Sequence, residues 1–136
     1  NKDKMRLIVA LQLLSPGMPM IYYGDEYAME GDNDPDCRRG MVWDPKRQDR
    51  DMFAWYQMLI RVRKTCPEIL DRECIMTTDD KRGLLMVESK NYLLIFNCMK
   101  GRQKISGYED ALDLIRSESF SGVMDGFSVN MFRKKA

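Results

Sequence analysis

The sequence predicts an α+β chain, on three observations. Residues 4–14 carry helical spacing, with Leu7, Ala10, Leu11 and Leu14 on one stripe that Ile8, Val9 and Leu13 widen. Residues 19–23 hold the apolar run Met20-Ile21-Tyr22-Tyr23, which predicts a short strand buried on both faces, as in a parallel sheet. After about residue 70, short β-rich runs alternate with turn signals, which predicts a small antiparallel β-sandwich.

Each element has its own stop and start. Ser15-Pro16-Gly17 ends the first helix. The strand ends at Gly24, followed by Asp25 and Glu26. Residues 24–47 are too rich in Gly, Asp, Pro and Arg for regular structure, and a loop that long is usually functional. Asp49 is an N-cap for a second helix that places Met52, Trp55, Tyr56, Leu59 and Val62 on one face. Arg61, Arg63 and Lys64 complement the dipole of its last turns, and Pro67 stops it. Helix, strand, long acidic loop, helix is the order of the last α–β–α segment of a (β/α)₈ barrel, whose working face carries such loops.

In the second half, Leu84–Glu88 and Tyr92–Asn97 form a hairpin around Ser89-Lys90-Asn91. Cys74–Thr77, Ala111–Ile115 and Phe127–Phe132 are further strands. The chain therefore divides into residues 1–70, the C-terminal end of a barrel, and residues 71–136, an antiparallel β domain. The Arg133-Lys134-Lys135 tail is expected to fray.

Composition narrows the function classes. The 136 residues carry 22 basic and 21 acidic side chains, a net charge of +1 that draws neither nucleic acid nor an acidic membrane. No apolar stretch approaches the roughly 20 residues needed to span a bilayer. The four cysteines are widely spaced and there is no histidine, which argues against a zinc site and removes Ser-His-Asp and Cys-His chemistry. The cysteines are expected to be reduced, mostly buried thiols, and the twelve methionines to be core filler. No metal and no cofactor is expected. The first residue is Asn1, which suggests a processed, truncated or engineered chain, and the compartment stays open.

Pro16-Gly17-Met18-Pro19-Met20-Ile21-Tyr22-Tyr23-Gly24-Asp25-Glu26 resembles the eighth barrel strand of the alpha-amylase superfamily of glycoside hydrolases. Glu30-Gly31-Asp32-Asn33-Asp34-Pro35-Asp36-Cys37-Arg38-Arg39-Gly40-Met41-Val42-Trp43-Asp44 resembles the loop after that strand in neopullulanases, cyclomaltodextrinases and maltogenic amylases. Oligo-1,6-glucosidases are similar but typically differ in the pair before the arginine. The resemblance implies a C-terminal fragment of an enzyme acting on alpha-glucosidic bonds with retention, through a covalent glycosyl-enzyme intermediate. It also implies that the nucleophile aspartate, the acid/base glutamate and a third aspartate lie upstream of Asn1. No catalytic residue is therefore assigned in this chain, which alone is expected to be inactive.

Asp34 and Arg38 are the candidate substrate-binding residues. In neopullulanase-like enzymes the matching pair contacts the glucose two places before the cleaved bond. A carboxylate accepts from sugar hydroxyls and a guanidinium donates in a fixed fork. The alternative is that the two pair with each other and hold the loop. Asp25 and Glu26 are adjacent on the chain and cannot flank one sugar bond; they are expected to satisfy nearby loop amides. Asp32, Asp34 and Asp36 lack the glycine and glutamate of a calcium loop. Trp43 and Tyr23 are expected to pack in the core, the alternative being that they stack on a sugar face.

The partners implied are an alpha-glucan oligosaccharide and the N-terminal barrel of the same protein. Unpaired edges of the 19–23 strand also predict pairing between two copies, a homodimer of the chain. The competing class is a free-standing carbohydrate-binding or structural β domain. The 24–47 loop argues against it, because it reads as a barrel loop in full.

Overall fold

The computed structural model describes residues 1–70 and 73–134. Helix α1 spans Lys2–Leu14 and α2 spans Arg50–Thr65. Both start as local chemistry dictates. Asn1 Oδ1 accepts the Asp3 amide at 3.0 Å, and Asp49 Oδ1 accepts the Met52 amide at 3.0 Å. The five residues α2 buries are Met52, Trp55, Tyr56, Leu59 and Val62, the predicted face. Helix α1 buries Leu7, Val9, Ala10, Leu13 and Leu14, while Ile8 stays exposed. Trp55 Nε1 donates to the Arg6 carbonyl at 3.0 Å and ties the two helices together.

The strands are β1 (Cys74–Asp79), β2 (Leu84–Ser89), β3 (Tyr92–Asn97), β4 (Gln103–Lys104), β5 (Leu112–Asp113), β6 (Glu118–Ser119), β7 (Val123–Met124) and β8 (Ser128–Arg133). Four form one antiparallel sheet in the order β1-β2-β3-β8. The short strands pair separately as β4–β7 and β5–β6. The predicted hairpin is β2–β3, and its turn is Lys90-Asn91.

The sheet is covered on both faces. Val87, Leu94, Phe96, Val129 and Met131 pack against the helices. Leu84, Leu93, Ile95 and Phe132 pack against Met124 of β7 and against Ile105 and Phe120, which directly follow β4 and β6. Successive side chains point to opposite faces, so every residue of β3 is buried. Strand β1 is the uncovered edge, with Ile75 and Met76 exposed.

The α+β class and the antiparallel second half agree with the sequence reading, but several expectations are corrected. Residues 19–23 are not a strand and are not buried: Met20 is 71 % exposed and Tyr22 43 %. A strand needs neighbours for its amides and carbonyls, and no described segment pairs with this run. Among the described residues the sandwich is reduced to one four-stranded sheet, with the helices on one face and, on the other, the residues of two two-stranded ladders in place of a full second sheet. Of the cysteines, Cys66 is buried, Cys74 is half-buried, and Cys37 and Cys98 are exposed, all four as free thiols. Methionine is not uniformly core filler: Met52, Met124 and Met131 are buried, whereas Met18, Met20, Met76 and Met99 are exposed. The tail is tied down through Lys134, whose Nζ meets Glu88 Oε1 at 2.5 Å and whose amide donates to the Asn91 carbonyl at 2.7 Å. Lys135 lies outside the described residues, as do residues 71 and 72 at the expected domain boundary.

Candidate functional site

The 24–47 loop is built from three one-turn 3₁₀ helices, Asp25–Tyr27, Asp36–Arg38 and Pro45–Arg47, joined by extended segments. Gly24 opens it at φ 91°, in the left-handed region, and a Cβ there would collide with the Met29 sulfur. Asp25 Oδ2 accepts the Tyr22 amide at 3.2 Å, and Glu26 Oε2 accepts the Gly24 amide at 2.9 Å. These two carboxylates therefore brace the loop entrance, as expected of them.

The base of the loop is fastened to α2. Tyr27 stacks on Phe53 with centroids 4.9 Å apart and planes 6° from parallel. Arg50 lies over the Tyr27 ring at 5.6 Å, and the Asp49 amide donates to the Tyr27 carbonyl at 3.3 Å. The descending limb is held by Gln48 Nε2, which donates to the Val42 carbonyl at 2.8 Å.

The tip carries two interlocked acid–base pairs. Arg38 Nη2 lies 2.5 Å from Asp34 Oδ1, with side chains 63 % and 66 % exposed. Asp36 takes Arg39 in a two-point clasp, with Nε and Nη2 each donating at 2.6 Å. Asp36 Oδ2 also accepts the Asp32 amide at 2.9 Å. The Arg39 guanidinium, helped by that amide, holds the Asp36 carboxyl below the ordinary carboxylate range. Gly31 packs close beneath this turn: a Cβ there would stand 3.0 Å from the Cys37 Cα. The peptide between Asp34 and Pro35 is cis.

The structure thus brings Asp34 and Arg38 together at the exposed tip, paired with each other as the alternative reading expects. A pair this open is held by at most about 1 kcal/mol, so either member can trade its partner for a ligand's hydroxyl at little cost, Asp34 accepting from it and Arg38 donating to it. Asp36 and Arg39, with three contacts at the carboxylate, are far less free to do so. Trp43 is 80 % exposed and Tyr23 43 %, which corrects the expectation that they pack in the core. Tyr23 has a role the sequence reading did not foresee: its hydroxyl donates to the Arg39 carbonyl at 2.7 Å. The available signal was a phenol tip at the end of an otherwise apolar run. With Met18, Met20, Ile21 and Tyr22, these aromatics leave an apolar band exposed on the segments beside the loop.

Among the described residues no group of three or more Cys, Asp or Glu side chains is placed to hold a metal ion. No described helix is long and apolar enough to cross a membrane.

Comparison with known proteins places this geometry in context. No protein-family model matches the chain. Neopullulanase 2 of Thermoactinomyces vulgaris is 52 % identical over 63 residues, 46 % of this chain and 11 % of the relative. A cyclomaltodextrinase of a Bacillus species is 48 % identical over 64 residues, 47 % of this chain and 12 % of the relative. The intracellular maltogenic amylase of Bacillus subtilis is 32 % identical over 97 residues, 71 % of this chain and 15 % of the relative. The chain thus spans between 11 % and 15 % of the length of these relatives. Among solved structures, a maltogenic amylase from S. marinus superposes with a TM-score of 0.83 at 24 % identity, over 98 % of this chain and 19 % of that one. A cyclomaltodextrinase superposes with a TM-score of 0.78 at 25 % identity, over 98 % of this chain and 26 % of that one.

Proposed function

We propose, from a chain that belongs to the alpha-amylase superfamily of glycoside hydrolases and matches a C-terminal part of neopullulanase-, cyclomaltodextrinase- and maltogenic amylase-like enzymes, that it forms one wall of the sugar cleft in a larger enzyme. That enzyme hydrolyses or transfers alpha-glucosidic bonds in maltodextrin, pullulan or cyclodextrin-like substrates, with retention of configuration. The catalytic carboxylates come from outside these residues. Asp34 and Arg38 bind the glucose two places before the cleaved bond, Asp34 accepting from its hydroxyls and Arg38 donating to them. The observation that carries this reading is the exposed Asp34–Arg38 pair, 2.5 Å apart at the tip of a braced loop.

Residues 1–70 are the end of the catalytic barrel and residues 71–136 the C-terminal β domain. Residues 19–23 are the eighth barrel strand once their neighbours are present. The support is the exposure of Met20, Ile21, Tyr22 and Tyr23, an apolar run that pairing on both edges and packing on both faces would remove from water. In the isolated chain the same run is the surface through which two copies would pair, and light scattering reads that association.

The test compares the 136-residue chain with the full-length protein on pullulan, cyclodextrin and maltooligosaccharides. The full-length protein is expected to release products of retained anomeric configuration, read by NMR within the first turnovers. The chain alone is expected to be inert. Turnover by the chain above a heat-killed control, or inversion by the whole protein, refutes the reading.

A further inference from the structure

We propose that Tyr23, Asp36 and Arg39 are positioning residues that fix the orientation of Arg38, and through it Asp34, for sugar recognition. The proposal rests on the sugar-contact reading of Asp34 and Arg38. Arg38 itself is held by little: its partner is the exposed Asp34 carboxylate, and so open an ion pair does not fix its own geometry. Yet a guanidinium that reads a pyranose must present its fork at a set angle, because hydrogen bonds weaken steeply off line. The rigidity has to come from the backbone on either side.

Three contacts supply it. On the C-terminal side, the Arg39 carbonyl accepts the Tyr23 hydroxyl at 2.7 Å. Tyr23 immediately precedes Gly24, whose neighbours Asp25 and Glu26 are tied to loop amides, so this anchor stands on a fixed point. On the N-terminal side, Asp36 closes the turn by accepting the Asp32 amide at 2.9 Å. The Arg39 side chain then folds back to Asp36 in a planar two-point clasp at 2.6 Å. Arg38 therefore sits between two residues whose backbones are pinned, one through its carbonyl and one through its carboxylate. The clasp also keeps a second guanidinium and a second carboxylate off the sugar, so that the loop presents one donor fork and one acceptor. Asp34, Asp36, Arg38 and Arg39 are one unit divided between binding and bracing.

The test uses the full-length protein and two substrates. Maltotriose fills the place two glucoses before the cleaved bond; a nitrophenyl alpha-glucoside leaves it empty. Tyr23→Phe, Asp36→Asn and Arg39→Lys are each expected to raise the maltotriose KM about three- to tenfold, the scale of one hydrogen bond. Their kcat and their nitrophenyl glucoside kinetics should stay within about twofold of the parent, since a binding interaction and not a transition-state one is lost. Arg38→Ala should raise the maltotriose KM further, and Tyr23→Phe added to Arg38→Ala should cost nothing more, because the phenol acts through that arginine. If Arg38→Ala weakens maltotriose and the three variants do not, the positioning roles are refuted and the sugar contact stands. If the variants lower both substrates alike, they are merely structural and the proposal fails. If Arg38→Ala itself has no effect on maltotriose, the sugar-contact reading fails and the positioning proposal falls with it.

Discussion

Arg63 Nη1 lies 2.6 Å from the Leu13 carbonyl oxygen, so the end of one helix is closed by a side chain from the other. The same nitrogen donates to the Ser15 carbonyl at 2.9 Å, and Nη2 donates to the Gly17 carbonyl. Helix α1 has no basic residue in its own last turn, and its last carbonyls would otherwise be orphaned. Arg63→Met keeps the aliphatic stem and removes these donors. It is expected to destabilise the chain by about 2–3 kcal/mol, the scale of hydrogen bonds from a charged donor. Arg63→Lys should recover only part, because one ammonium cannot reproduce the fork. Urea unfolding of the two variants checks the order.

Asp49 joins the two helices at their other end. It caps α2 and also meets Lys2 Nζ at 2.6 Å. The Lys2 contact, then the Met52 amide, pulls its carboxyl below the ordinary carboxylate range. A carboxyl depressed by folding stabilises the chain above the unfolded value, near about 4. That stability is lost as the pH falls through the lower folded value. Asp49→Ala is expected to cost about 0.5–2 kcal/mol at neutral pH, with the gap to the parent narrowing as acid is added. Equal gaps at pH 7 and in acid would show that charge plays no part in the cap.

Asp113 is the most enclosed carboxylate described, 2 % exposed. It accepts from Arg116 Nη1 at 2.8 Å, Asn130 Nδ2 at 3.0 Å, the Met131 amide at 3.1 Å and the Ile115 amide at 3.2 Å. Arg116 continues to the Val129 carbonyl at 2.8 Å and lies 6.0 Å from the Trp55 ring, which couples the sheet to α2. Removing the carboxylate leaves a guanidinium and several amides without their partner. Asp113→Ala is expected to cost about 3–5 kcal/mol. A loss below about 1 kcal/mol in thermal unfolding would mean water replaces it.

How far the sequence could be read follows from what each signal encodes. Period 3.6 encodes a helix face, so Met52, Trp55, Tyr56, Leu59 and Val62 were legible one by one. Period 2 encodes two faces but not what covers them. Leu93 and Leu94 are both buried in β3, and nothing local says that Phe120 lies near one and the helices near the other. The run at 19–23 encodes apolarity and extension; whether it becomes a strand depends on partners that a local pattern cannot contain. At the loop, Asp34 and Arg38 stood out through the resemblance of residues 30–44 to neopullulanase-like loops; their types and spacing alone say only that they can pair. The clasp of Asp36 on Arg39 and the Tyr23 hydroxyl were not legible, because both depend on how a turn of irregular backbone closes.

The exposed pair at the loop tip gives a prediction in kinetic terms. Arg38→Ala in the full-length protein is expected to lower kcat/KM on maltotriose by about 1.5–3 kcal/mol, the scale of a charged hydrogen bond to substrate. The side chain is 63 % exposed, so its loss should leave the melting temperature within a degree or so. A sharp fall in melting temperature with unchanged kcat/KM would make Arg38 a structural residue.

Tyr56 gives a prediction at alkaline pH. Its side chain faces the core from α2 and is 3 % exposed. Burial first, then the nearby charges of Asp25 and Glu26, push its phenol up from 10.0 to about 12. Both causes oppose the phenolate, one by withholding water and the others by like charge. The unfolded chain ionises near the ordinary value and the folded chain only at the higher one. Stability from this group is therefore complete below about pH 10 and is lost as the pH rises through about 12. The full loss is about 2–3 kcal/mol, from roughly two pH units at 1.36 kcal/mol each. Tyr56→Phe removes the ionisation and keeps the ring. The difference in unfolding free energy between parent and Tyr56→Phe should be constant up to about pH 10 and then shift in favour of the variant. Asp25→Asn with Glu26→Gln should lower the phenol's ionisation point, because it removes the two charges that oppose the phenolate. A parent and a Tyr56→Phe variant that lose stability in parallel through this range would show that the phenol ionises as freely folded as unfolded, and that the loop carboxylates do not reach it.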